Sequence, residues 1–429
     1  MKYLNYNFAE NSKIFWENDL NTYKIPKKTI RDKYELVIIG GGLTSLSTAY
    51  HIKSNINILI IDKNKIGYGG SNRNGGFCCL GGSKLSFSEF EKKYGFEELK
   101  KFFSIQKDAI DLVRKILDKK FSESEEGEIT YYYNKKQLDD DLKEIQRYQK
   151  KLNINYEYYS VADLKQKNLF LHNSNGAIKM NYGFGVNPKN LVHSLLKKIL
   201  LKENIHFLED QEVKSINERH DHKKIITENY SINCEKIIFA TNGYLESKNL
   251  NSDIYKNLIP ALSNILVTEP IPKEKFNLWK TKLLCADNKK LLHYFRLLDD
   301  NRILFGGRGG LSYKDTDIYK SILVNDFHKM LPEFIGTKIE YFWRGLVGLT
   351  YDKIPHIGQK KNVLHAYGYN GNGVSMSTLF GKMLAKIIEK EINISDLPTS
   401  ISSSPKKLFF PELKRFYLYL AYQYYNFKQ

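Results

Sequence analysis

The chain has 429 residues, 42% hydrophobic and 27% charged, which is ordinary globular composition and long enough for two domains. Its net charge of +18 comes mostly from lysine scattered among Asn, Ile and Tyr, with only ten arginines, a pattern that argues for biased composition and against a nucleic-acid face. Four cysteines without ligand spacing exclude a disulfide framework and a metal site and suit a reduced, cytoplasmic protein. No run approaches the roughly 18 apolar residues of a membrane span.

Residues 1–33 form a polar lead-in with a short helix expected near residues 12–20. Residues 35–39 (ELVII) read as a buried strand stopped by glycines, 43–53 as a helix, and 56–61 as a second strand ending in Asp62. A glycine-rich loop follows at 67–83. The pattern from 87 to 152 is helical and charged, with an acidic surface turn expected at 123–128. Residues 191–202 read as an amphipathic helix, 205–208 and 212–216 as strands leading to a hairpin through Asp221, and 236–240 as a buried strand. Strands are expected at 265–268, 292–297 and 303–305, a helix at 317–331, a strand at 363–367 and a helix at 377–390. The aromatic, basic tail at 405–429 suits a terminal helix that docks on its own domain or on a partner subunit, or lies on a membrane surface.

Strand, glycine turn, helix and a strand ending in acid make a βαβ unit. In that setting Gly40 allows the tight turn and Gly42 lets the backbone approach a pyrophosphate. The helix start at Leu43 and Thr44 offers N–H groups to the anion, and Asp62 suits a ribose hydroxyl. Ser45 stands where Gly or Ala is usual, and is small enough for close packing. A second loop, Gly69-Gly70-Ser71-Asn72-Arg73-Asn74-Gly75-Gly76, follows almost at once. A nicotinamide dehydrogenase has no general need of it, whereas a flavoenzyme can lay its backbone and Arg73 along the pyrophosphate and ring.

The segment GGGLTS…ILIIDKNKIGYGGSNRNGG resembles the start of D-amino-acid oxidase-like FAD oxidoreductases, and more narrowly the gamma-glutamylputrescine oxidase branch. The resemblance continues through YGFGVNPKNL, ATNGY, YFRLLDDNRILFGGR, WRGLVGLTYDKIPHIG and GYNGNGVSMSTLFGKMLAKII. It implies an α/β fold: a Rossmann-like FAD-binding domain at 34–86, 178–250 and 340–400, with an interleaved substrate domain at 87–177 and 251–339 on a mainly antiparallel sheet. It also implies a non-covalent FAD. Gly40, Gly42, Leu43, Thr44, Ser45, Asp62 and Lys63 would hold its ADP half. Gly70, Ser71, Arg73, Asn74, Gly75 and Gly76 would line the pyrophosphate and ring. Val213 would meet the adenine, with Ala240, Thr241 and Gly243 closing over the nucleotide. Gly371, Asn372, Gly373, Val374 and Ser375 would turn a helix N-terminus toward the ring's pyrimidine edge, where reduction accumulates negative charge. Relatives often carry His where this chain has Asn372.

On the substrate side, Tyr294 and Arg296 are the candidate positioning residues. Arg296 either clamps a carboxylate or makes a salt bridge at a sheet edge. Trp343 and Arg344 either shape the pocket or sit in the core. Cys78 and Cys79 read as buried, inert thiols. The implied reaction is oxidation of a C–N bond in a small amine or amino acid by hydride transfer to flavin N5, then imine hydrolysis, with oxygen or an electron carrier as acceptor. A nicotinamide dehydrogenase, a tRNA-modifying flavoenzyme and a flavin subunit of a larger dehydrogenase are the alternatives.

Overall fold

The computed structural model describes residues 13–18, 24–118, 126–218, 222–245, 247–276, 281–312 and 316–428. Among these the strands form two sheets of eight and one two-stranded ribbon. The run ELVII lies in the strand Lys33–Ile39, flanked in parallel by Ser231–Phe239 and Ile58–Ile61. Its apolar residues are continuous rather than alternating because both faces are covered. Leu36 and Ile38 join one core, Val37 and Ile39 the other. Ile205–Leu208 and Val363–Tyr367 extend the sheet in parallel, and His356–Lys360 closes one edge antiparallel.

Four helices fill the first core: Leu43–His51, Phe96–Ile116, Pro188–Ile199 and Gly373–Ile388. Two of them approach closely. A Cβ on Gly381 would stand 2.5 Å from the Thr44 carbonyl, and Ser47 Oγ donates to Thr378 O at 2.6 Å. The C-terminal carbonyls of the first helix receive Lys202 Nζ, which donates to Ala49 O, Tyr50 O and Ile52 O at 3.0, 2.9 and 2.6 Å. A cation belongs at that end of the helix dipole.

The second sheet runs Ile339–Thr350, Leu258–Thr268, Ile303–Arg308, Tyr294–Leu297, Leu284–Asp287, Glu128–Tyr131, Ala177–Met180, Tyr156–Tyr159. Its pairs are antiparallel except Leu284–Asp287 with Glu128–Tyr131. Leu323 and Phe327 of the helix Thr316–Met330 cover one face, against Phe295 and Phe305.

Several expectations need correction. Ile339–Thr350 and Ala177–Met180 belong to the second sheet, and Phe96–Ile116 packs in the first core, so the chain crosses between units more often than composition suggests. Glu128 is not in a surface turn. It opens a strand whose place is set by pairing with Leu284 and Met180. The strand expected at 212–216 begins at Ser215, and it pairs with Lys223–Ile226 across a tip that lies outside the described residues. The lead-in has a 3-10 turn at Phe15–Asn18, and the rest of the helix expected there falls partly outside them too. Among the described residues no helix is long and apolar enough to cross a membrane.

Candidate functional site

A cavity of about 560 Å3 runs between the two sheets, from the first glycine turn to the inner face of the second sheet. At the first end Gly40 has φ +102°, and a Cβ there would stand 2.8 Å from the Ala240 carbonyl. A Cβ on Gly42 would stand 2.8 Å from Ser71 Oγ. Only glycine combines that backbone with that approach. The helix Leu43–His51 has no cap from its own Gly42; Ser71 Oγ accepts from Leu43 N at 2.9 Å instead. Ser45 is fully buried and turns its hydroxyl back onto Gly40 O, so it tightens the turn from behind the wall.

Asp62 closes the second strand and accepts from Gly41 N at 2.6 Å and Asn64 N at 2.8 Å. Burial holds its carboxyl above the ordinary range despite those bonds. Lys63, Val213, Ala240 and Thr241 line the same end. Gly243 does not; it packs on Gly348, whose backbone N would lie 3.2 Å from a Cβ.

The second glycine loop forms the middle of the wall through Gly70, Ser71, Arg73, Asn74 and Gly75. Three buried side chains hold its carbonyls from behind. Trp16 Nε1 donates to Asn74 O at 2.9 Å, Trp343 Nε1 to Arg73 O at 3.2 Å, and Arg296 Nε to Gly75 O at 3.0 Å. Asn74 Nδ2 adds bonds to Gly70 O and Ser71 O, both at 2.9 Å. Arg73 lines the cavity while donating to Tyr68 O at 3.1 Å and Arg344 O at 3.2 Å.

Arg296 therefore corrects the sequence expectation. It is 1% exposed, does not line the cavity, and also donates through Nη2 to Val186 O at 2.8 Å. It shares a strand face with Tyr294 but stands two residues, about 7 Å, further along, beneath the loop. Gly76 lies behind the wall with it, joined to Val186 N by its carbonyl at 2.8 Å. Trp343 and Arg344 are likewise buried; Arg344 Nε donates to Asn264 Oδ1 at 2.9 Å. Tyr294 does line the cavity, near Ser263 Oγ at 3.2 Å, and burial pushes its phenol up to about 12.

At the far end the helix Gly373–Ile388 begins on the cavity wall, with Gly371, Asn372, Gly373 and Val374. The Asn372 side chain does not cap it. It donates instead to Leu80 O at 3.0 Å and Cys79 Sγ at 3.3 Å. Ser375 is buried behind, donating to Cys79 O at 3.2 Å. Burial pushes the Cys78 and Cys79 thiols up, so both stay protonated. Lys84, Glu128 and Ser263 also line this end. Sequence reasoning passed over all three, and no local pattern marks them.

The glycine cradle, an acid at the next strand end and an uncapped helix start further along fit a long dinucleotide with a second ring system. Residues 35–387 match the DAO family, described as FAD dependent oxidoreductase. The chain belongs to the DAO family of FAD-dependent oxidoreductases. It is 26% identical over 404 residues to a protein of Haemophilus influenzae called "Probable oxidoreductase OrdL", covering 90% of each. It is 24% identical over 406 residues to the gamma-glutamylputrescine oxidoreductase of Escherichia coli, covering 92% of this chain and 93% of that one. Among solved structures, glycine oxidase from Geobacillus kaustophilus superposes with a TM-score of 0.68 at 16% identity, over 85% of this chain and 96% of that one. The DAO fold is thus shared with little sequence in common. Among the described residues no group of three or more His, Cys, Asp or Glu could hold a metal ion.

Proposed function

We propose that this DAO-family enzyme oxidises the C–N bond of a small amine or amino acid, with flavin and substrate in one chamber. The observation that carries this reading is the continuity of the cavity from the cradle at Gly40 to Tyr294 on the second sheet. FAD bound there would supply the acceptor for the hydride on the carbon next to nitrogen. The chain's own residues would do the rest. The loop braced by Trp16, Trp343 and Arg296 would hold the cofactor's middle. The helix start at Gly373 would favour negative charge on a flavin ring bound near it. The inner face of the second sheet would form the opposite wall of the chamber, and water would hydrolyse the imine.

The names of the relatives, gamma-glutamylputrescine oxidoreductase and glycine oxidase, support an amine or amino-acid substrate. Oxygen or an electron carrier would take the electrons on. The test is anaerobic bleaching of the flavin by glycine, sarcosine, gamma-glutamylputrescine, taurine and D-amino acids. At least one should bleach it, and a flavin that none reduces counts against C–N oxidation. A second reading, a flavin subunit of a larger dehydrogenase, is favoured by the exposed Phe409, Phe416, Tyr419, Leu420 and Tyr424 of the tail. Removal of residues 405–429 without change in size or activity would dismiss it.

A further inference from the structure

The middle of the cavity wall keeps two backbone donors without partners. The Arg73 carbonyl is taken by Trp343 Nε1 at 3.2 Å and the Asn74 carbonyl by Trp16 Nε1 at 2.9 Å. Neither tryptophan lines the cavity, whereas Arg73, Asn74 and Gly75 do. A trans peptide points its N–H opposite to its C=O, and among the described residues no peptide bond is cis. With both carbonyls drawn back, the N–H groups of Asn74 and Gly75 are turned forward, toward the cavity. Neither has a hydrogen-bond partner among the described residues. The next donor along is satisfied, since Gly76 N bonds to Asn74 Oδ1 at 2.7 Å. Gly75 is buried against Tyr294, whose ring would stand 2.7 Å from a Cβ. A buried N–H left without a partner is costly unless something in the cavity accepts from it.

The peptide between Asn74 and Gly75 needs an outside hold to keep that direction. Glycine on one side of a peptide lets the plane rotate at little steric cost, so the loop alone does not fix it. Trp16 supplies the hold from the lead-in, ahead of the stretch 35–387 that matches the family. The side chain is 2% exposed and packs in a core with Ile14, Ile265, Val267 and Leu304. It also touches both of the other braces. Its ring meets Trp343 edge-on with centroids 6.3 Å apart, and Arg296 Cζ stands 5.6 Å over it. Lys189 Nζ donates to Glu17 O at 3.4 Å, which ties the turn Phe15–Asn18 to the helix Pro188–Ile199. An indole enclosed in this way can direct its N–H to one carbonyl only.

We propose that Trp16 is a positioning residue for the flavin. Its bond to Asn74 O fixes the Asn74–Gly75 peptide with the N–H toward the ring, as a donor that stabilises the negative charge gained on reduction. The lead-in thereby belongs to the redox site although no part of it reaches the cavity. This rests on flavin binding, which membership of the family supplies, and is independent of which substrate is oxidised.

The midpoint potential of the bound flavin tests it, read in the flavin absorbance during anaerobic reduction by dithionite beside a reference dye. No amine is present, so failure of the C–N oxidation reading leaves this test untouched. Trp16→Phe keeps an apolar ring and loses the indole N–H. It should disfavour the reduced flavin by about tenfold, which is about 30 mV for two electrons. Phe15→Leu trims the same turn where it packs on Tyr341, with centroids 5.3 Å apart, and should leave the potential unchanged. An unchanged or higher potential in Trp16→Phe, or an equal fall in Phe15→Leu, would overturn the proposal. Should Trp16→Phe purify without flavin, FAD is titrated back and its affinity read by fluorescence. Binding about tenfold or more weaker than in Phe15→Leu supports the proposal, and equal binding in the two variants overturns it.

Discussion

At the nucleotide end the cavity wall is largely backbone, a glycine cradle that a single methyl group would fill. At the substrate end it is side chains, with Lys84, Glu128, Ser263 and Tyr294 delivered from four separate stretches of chain. The first end leaves no room for a side chain at Gly40 or Gly42. The second offers polar and charged side chains to the cavity. Between them lies the braced loop, where Arg296 and two tryptophans hold carbonyls that face away from the ligand.

The largest effect should come from the cradle. Gly40→Ala adds about 2 kcal/mol of backbone strain at a positive φ, together with a contact on the Ala240 carbonyl. The variant should purify colourless, and a normal ratio of flavin to protein absorbance would break the contrast between the two ends. Next is the brace. Arg296→Met removes buried hydrogen bonds to two carbonyls and should lower stability by about 3 kcal/mol. Flavin should be lost more easily, but the remaining holoenzyme should keep its affinity for acetate. A selective loss of acetate would return Arg296 to the role of carboxylate clamp.

The smallest effect lies beyond the cavity, on the second sheet. His293 stands between Asp287 Oδ2 at 3.0 Å and Asp326 Oδ2 at 3.2 Å. Burial opposes its charge, but bonds and charges from the two aspartates outweigh that and raise its pKa. A raised folded pKa gives stability that is full below the unfolded value near 6.5 and is lost as pH rises through the folded value. Melting temperature should therefore fall over that interval in the wild type, and the fall should be smaller in His293→Gln. Identical profiles would mean that the ring is neutral throughout.

The same contrast explains what could be read before the fold was seen. The nucleotide end is written within residues 35–76, where glycine positions dictate local geometry, so Gly40, Gly42, Asp62 and the Arg73 loop were all legible. Ser45 was rightly judged small enough, although its bond back to Gly40 O was not foreseeable. Glu128 looked like one more residue in an acidic run, because its environment is made by strands that begin more than forty residues away. Arg296 was expected in the pocket beside Tyr294, yet two residues along one strand is the difference between cavity wall and scaffold. Lys84 had no signal at all beyond following the glycines.

The central claim is that the cradle and the far end of the cavity serve one reaction. Anaerobic titration of the holoenzyme, read in the flavin absorbance, tests it most directly. The account predicts bleaching by at least one member of the amine panel. A flavin left oxidised by every one of them would contradict it.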